Sequence, residues 1–152
     1  MTERTLAICK PDSVSARKAG AILARLEEEG FRIRGVKRLR LAGDQAREFY
    51  AVHRERPFFA GLVAFITSSP LVAIAVEGPN AIAVVRSMAG ATRPWEAAPG
   101  TIRGDFALEV AQNLIHASDG PETAATELAL WFPEGVVEYA RQVDRWVLVP
   151  EG

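Results

Sequence analysis

The chain has 152 residues, of which 49% are hydrophobic and 24% charged, with a formal net charge of −1. That balance fits a soluble globular protein with a sizeable core, and it gives no global pull toward nucleic acid or anionic lipid. Its one cysteine, Cys9, excludes an intramolecular disulfide and fits a reducing compartment.

The N-terminus, MTERTLAICKPD, lacks a basic region followed by an apolar one, so it does not read as a secretory signal. Apolar stretches stop well short of the roughly 20 residues a membrane span needs, and a cytoplasmic protein is expected. Thr5–Cys9 reads as a buried strand broken by Pro11, with Cys9 as an inert core thiol. From Ala19 to Glu29, Ile22, Leu23 and Leu26 follow helical spacing, and Gly30 is a natural stop.

Phe31–Leu41 alternates, with Phe31, Ile33 and Leu39 on one side and Arg32, Arg34, Arg38 and Arg40 on the other. This predicts a half-exposed strand with a solvated arginine face and a bulge at Gly35–Val36. Asp44 is placed to cap a helix reaching about His53, and Pro57 to open the next one. That second helix is apolar on two sides: Phe58, Leu62 and Phe65 on one, Phe59, Val63 and Ile66 on the other. One side can pack on the core; the other needs a subunit or a stacked base.

Pro70–Glu77 predicts a central strand, and Gly78-Pro79-Asn80 the start of a helix ending at Gly90. Ala91–Gly100 reads as a loop of functional length, Asn113–Ala117 as a short strand, and Pro121–Trp131 as a helix before an extended tail. No repeat, low-complexity tract or linker divides the chain, so residues 1–152 are read as one domain. The element order predicts a small sheet covered by helices.

Two histidines offer a nucleophile with a lone pair at neutral pH. His53 sits in the charged run His53–Arg56 and reads as a surface residue. His116 ends an apolar strand before the tight turn Ser118–Pro121, a position suited to chemistry, although taken alone a hydrogen-bonded core histidine is the commoner case. On the following helix Ala124, Leu128 and Trp131 form the buried face, with Glu127 at its margin. A carboxylate there can hold one ring nitrogen of His116 and leave the other free; an ordinary surface glutamate fits the same spacing. Lys10, Arg86 and Arg103 each lie beside apolar segments. Were they to converge, they would neutralise a polyphosphate. No Walker-type Gly-rich loop and no metal-ligand spacing is present, so no protein-held metal is predicted.

Ordered motifs from Glu3 to about Phe132 carry a close resemblance to nucleoside diphosphate kinases. They are Glu3-Arg4-Thr5 with Lys10-Pro11-Asp12, Arg56 to Leu62, Pro99 to Phe106, and the signature Asn113-Leu114-Ile115-His116-Ala117-Ser118-Asp119. The resemblance implies a ferredoxin-like βαββαβ sandwich of the α+β class, with added helices and a C-terminal tail. It implies ping-pong transfer of a γ-phosphate through His116, with Glu127 orienting the ring and Mg²⁺ brought in by the nucleotide. Ser118, Tyr50 and Lys10 would line the transfer site, and Arg86, Thr92 and Arg103 would hold phosphates. Phe58, Leu62 and Val110 would hold the base, and Asn113 the ribose. A hexamer or tetramer is implied.

Four positions depart from the family pattern: Ala117 and Ser13 replace glycines, Gly120 a serine and Arg93 an asparagine. If position 117 needed a positive φ, alanine would strain it and slow the enzyme. Two other functions are carried alongside the enzyme. One is a nucleotide-binding regulator with little turnover, favoured only by Ala117. The other is a nucleic-acid-binding module built on the Arg32–Arg40 strand, against which the near-neutral charge argues.

Overall fold

The computed structural model describes residues 2–107 and 113–143. Strand β1 (Thr2–Cys9) leads through the short helix α1 (Pro11–Ser15) into α2 (Ala19–Glu28) and the strand β2 (Arg32–Leu39). Helices α3 (Gly43–Phe49) and α4 (Phe59–Ile66) follow, with a 3-10 turn at Ala51–His53 between them. Strand β3 (Leu71–Pro79) and helix α5 (Ala81–Ala89) come next. After a 3-10 turn at Pro94–Glu96 come α6 (Ile102–Phe106), β4 (Ile115–Ala117) and α7 (Pro121–Trp131). Among the described residues no helix is long and apolar enough to cross a membrane.

The four strands form one antiparallel sheet in the order β2-β3-β1-β4, the ferredoxin-like arrangement. Alternation along the central strands supplies both cores. Ala7 and Cys9 of β1 join Ile74 and Val76 of β3 beneath α2 and α5. Leu6 and Ile8 join Ala73 and Ala75 on the opposite face, beneath Ala46, Ile66 and Trp131 from α3, α4 and α7. A sheet covered on both faces has no polar side, which is why these strands read as continuous apolar runs.

Cys9 is fully buried, and burial pushes its thiol up to about 12, so it is inert at neutral pH. The expected faces of α4 separate as well. Val63 and Ile66 pack on the sheet, while Phe58 remains 50% exposed.

Several local expectations are corrected. Asp44 is not the cap of α3: Ala42 holds that position, and its N–H donates to Gln45 Oε1 at 3.1 Å. Helix α4 begins at Phe59, two residues after Pro57. Strand β3 runs on through Pro79 because Gly78 and Pro79 still pair with Glu3 and Thr2, leaving Asn80, at φ 51°, to cap α5. Helices α1 and α6, of five residues each, are too short to show a period in the sequence.

The arginine face of β2 is the largest correction. The register jumps from Ile33–Val76 to Gly35–Ala75, placing the bulge at Arg34, one residue earlier than expected. Arg32 and Arg34 are buried, and only Arg38 and Arg40 of the four are exposed. Glu77 of β3 is the reason, for it lies directly across from Arg4 on one side and Arg32 on the other. Its carboxylate accepts from Arg4 Nε at 2.6 Å, Arg32 Nη1 at 3.1 Å and Arg34 Nη2 at 2.7 Å.

Candidate active site

Strand alternation sends Ile115 and Ala117 of β4 into one core, so His116 between them faces the other side of the sheet. There α7 meets it. Glu127, nine-tenths buried, presents both carboxylate oxygens to His116 Nε2, each at 3.0 Å. A carboxylate can only accept, so Nε2 carries the ring proton and Nδ1 keeps its lone pair. Nδ1 has no hydrogen-bond partner among the described residues. Ser118 Oγ donates to Glu127 Oε1 at 2.5 Å, which fixes the carboxylate from its far side.

A cavity of about 620 Å³ opens in front of the imidazole. Lys10, Tyr50, Phe58, Leu62, Arg86, Thr92, Arg103, Asn113, His116 and Glu127 all line it. The three cations that spacing alone left scattered therefore converge. Ser118 stands behind Glu127 instead of in the wall, and Val110 lies outside the described residues.

Backbone carbonyls hold the two arginines, and a side-chain amide holds Lys10. Arg103 donates from Nη1 to Gly90 O at 2.8 Å and from Nη2 to Ile115 O at 2.7 Å, bracing β4 against the end of α5. Burial, with the charge of Arg86 adding to it, pushes its guanidinium down to about 10. Arg86 Nη1 donates to Ala117 O at 3.1 Å. Lys10 Nζ donates to Asn113 Oδ1 at 2.8 Å, and Asn113 Nδ2 to Thr92 O at 3.0 Å, so one amide ties the ammonium to the loop. Burial pushes Lys10 down to about 8, with Asp12 opposing the fall and Arg103 adding to it. Burial, with the Glu127 charge adding to it, pushes the Tyr50 phenol up to about 12, so it is a neutral hydroxyl at physiological pH.

The backbone entering β4 is strained at one point. Leu114 has φ 74°, a conformation that costs a non-glycine residue about 1–3 kcal/mol. Two bonds hold it there: Leu114 N–H donates to Asp12 Oδ2 at 2.9 Å, and Lys10 N–H donates to Leu114 O at 2.9 Å. Ala117 is not among the positive-φ residues, so alanine at that position carries no backbone penalty. Ser13 is accommodated too, its Oγ donating to Lys10 O at 2.8 Å. Arg93 Nη1 pairs with Glu96 at 3.3 Å, and Gly120 leaves α7 without a side-chain cap.

A sequence model described as nucleoside diphosphate kinase matches residues 3–137. The nucleoside diphosphate kinase of a Roseiflexus species is 51% identical over 146 residues, which is 95% of this chain and 98% of that one. The chain belongs to the nucleoside diphosphate kinase family. It is accordingly a phosphotransferase, a kinase that binds nucleotides. Solved structures agree. A nucleoside diphosphate kinase family protein from Babesia bovis superposes with a TM-score of 0.92 at 41% identity, over 95% of this chain and 98% of that one. A halophilic nucleoside diphosphate kinase from Halobacterium salinarum, solved in complex with CDP, gives 0.92 at 42% identity, over 96% and 98%.

Sequence reasoning missed two aromatic members of this kinase's cavity. His53, expected on the surface, lines it, with its ring 5.4 Å from that of Phe58. Its position follows from the 3-10 turn at Ala51–His53, which turns the ring inward; the charged neighbours hid this. Phe49 also lines it, beside His116. Nothing in the spacing of that helix hints at the contact with His116. No group of three or more His, Cys, Asp or Glu is gathered among the described residues.

Proposed function

We propose that the enzyme moves the γ-phosphate of a nucleoside triphosphate, typically ATP, to a nucleoside diphosphate by a ping-pong reaction through phosphohistidine at His116. The observation that carries this is the imidazole itself, held by Glu127 at Nε2 with Nδ1 unpartnered at the wall of a cation-lined cavity. The Nδ1 lone pair attacks the γ-phosphorus, the bond from phosphorus to the β-bridging oxygen breaks, and the diphosphate leaves with that electron pair. In the second half-reaction, a terminal oxygen of a new diphosphate attacks the phosphohistidine and the phosphorus–nitrogen bond breaks. Positive charge growing on the ring is offset by Glu127.

In this reading Lys10, Arg86, Thr92 and Arg103 hold the phosphates, with Tyr50 and Ser118 completing the transfer site. Phe58, Leu62 and Val110 hold the base by stacking and apolar contact, and Asn113 contacts the ribose. A site that recognises a π-face accepts many bases, so broad nucleotide tolerance follows. Mg²⁺ arrives on the nucleotide phosphates, which the cations of the cavity are placed to receive; among the described residues no group of three or more His, Cys, Asp or Glu gathers for a metal. The regulator alternative rested on strain at Ala117, and that strain is absent.

We further read residues 1–152 as a single domain, working in the cytoplasm as a hexamer or tetramer. Val36 and Trp95, both exposed, are available for subunit contact. Sedimentation across a dilution series tests this, and a concentration-independent monomer would contradict it. The chemistry is tested by initial velocities at varied donor and acceptor: parallel double-reciprocal lines are expected, and intersecting lines would exclude a phosphoenzyme route.

A further inference from the structure

Two torsions attach an imidazole to its backbone, and one hydrogen-bonded nitrogen does not fix both. The Glu127 contact fixes where Nε2 sits but leaves the ring able to tilt about that point. A tilt moves Nδ1, the atom that must meet phosphorus in line.

Phe49 supplies the missing constraint. Its ring centroid lies 5.0 Å from that of His116 with the planes at 74°, an edge contact. Phe49 is itself backed by Trp131, at 5.3 Å and 88°, and flanked by Tyr50, at 4.8 Å and 58°. Trp131 is buried in the core between α7 and the sheet, so the stack ends on a ring packed on its other sides. Glu127 and Trp131 are four residues apart on α7 and share one face. One helix therefore sets both the hydrogen-bond acceptor for the imidazole and the backing for the ring that abuts it.

We propose that Phe49 is a positioning residue for phosphoryl transfer: its Trp131-backed edge contact holds the His116 ring at the tilt that presents Nδ1 to the phosphate. The proposal rests on the phosphohistidine reading for its kinetic consequence, while its structural half stands apart from that reading. An aromatic edge contact has an energy corresponding to roughly 3- to 10-fold in rate, and misorientation at the reacting atom multiplies such losses.

The test uses the full-length enzyme and the variants Phe49→Leu, Phe49→Tyr and His116→Ala. In single-turnover phosphorylation by ATP and Mg²⁺, Phe49→Leu is expected to reach the full wild-type level of phosphoenzyme, but at least about 3-fold more slowly. Nucleotide affinity, measured by direct titration with ADP, is expected to stay within about twofold of wild type, since Phe49 offers no charge to the phosphates. Phe49→Tyr, which keeps the ring, is expected to recover at least half of the lost rate.

The second readout is the ¹⁵N spectrum of the His116 ring, assigned by its loss in His116→Ala. Phe49→Leu is expected to broaden or shift it while the Nε2 tautomer persists. Wild-type rate together with a wild-type spectrum in Phe49→Leu overturns the proposal. So does a rate loss explained wholly by weaker ADP binding, or one that Phe49→Tyr does not rescue. A spectrum that changes in Phe49→Leu while the wild type takes up no phosphate would sink the phosphohistidine reading and leave the positioning role standing.

Discussion

Lys10 shows how one buried side chain can set a pH limit. Burial lowers its pKa to about 8, so the unliganded enzyme loses this charge just above neutrality. A bound phosphate favours the protonated form, so kcat/KM for the nucleotide should fall as pH rises through about 8. In Lys10→Arg the fall should move to higher pH, because a guanidinium keeps its proton throughout that range. A wild-type profile flat to pH 10 would remove Lys10 from the phosphate site. Stability moves the other way. The unfolded lysine, with a pKa of about 10.4, binds the proton that the folded one has released, so stability rises with pH between about 8 and 10.4. Residue-scale chemistry was partly legible in sequence: Lys10, Glu127 and His116 could be named from spacing and motif. The His116–Glu127 tie is short in sequence, whereas Lys10 is tied to Asn113, 103 positions away, and no local pattern carries such a pairing.

Among the elements, α6 carries more than its length implies. Its five residues deliver Arg103 to the backbone of both Gly90 and Ile115. Thr101 Oγ1 accepts from Gly104 N–H at 3.0 Å to start the turn, and Gly104 then passes against the preceding loop. A Cβ on Gly104 would overlap the carbonyl oxygen of Ala98, which is backbone and cannot swing aside. Gly104→Ala should therefore lower stability by about 2–3 kcal/mol in urea unfolding. It should also raise KM for nucleotide as Arg103 is displaced, and unchanged stability would refute the packing argument. The long elements α2, α5 and α7 were legible because their apolar period spans two or more turns. A five-residue helix has no such period, so α1 and α6 emerge only from their caps and partners. The arginine strand misled for a related reason. Alternation put Phe31, Ile33 and Leu39 on one side, yet the bulge at Arg34 sends Ile33 and Leu39 into opposite cores, and the burial of Arg32 and Arg34 depends on Glu77 of another strand.

At the scale of the whole molecule, Glu77 joins three strands and the C-terminal segment. Arg4 reaches from it to Glu138 at 2.7 Å, Tyr139 stacks near Arg32 and Arg34, and Val137 N–H donates to Arg34 O at 2.8 Å. Residues beyond Trp131 are thus drawn onto the edge of β2; the tail tryptophan Trp146 lies outside the described residues. Burial alone would raise the pKa of Glu77, but hydrogen bonds from Arg34 and Arg4 outweigh it and hold the carboxyl below its usual range. The stabilisation is therefore complete above the unfolded value of about 4.3 and is lost as pH falls through the lower folded one. Glu77→Gln removes the buried charge that Arg4, Arg32 and Arg34 share and should cost about 3 kcal/mol at neutral pH. Its stability should also decline less steeply than that of wild type below about pH 4. An acid-unfolding midpoint shared by both proteins would show that Glu77 does not organise this region.

The central claim is that His116 carries the phosphoryl group, and the most direct measurement is the mass of the enzyme after ATP and Mg²⁺, with the modified peptide mapped under alkaline conditions. One added phosphoryl group per chain is expected, on the peptide containing His116, stable to base, labile to acid and discharged by ADP or GDP. No added mass, or a phosphoryl group that persists in His116→Ala, would contradict it.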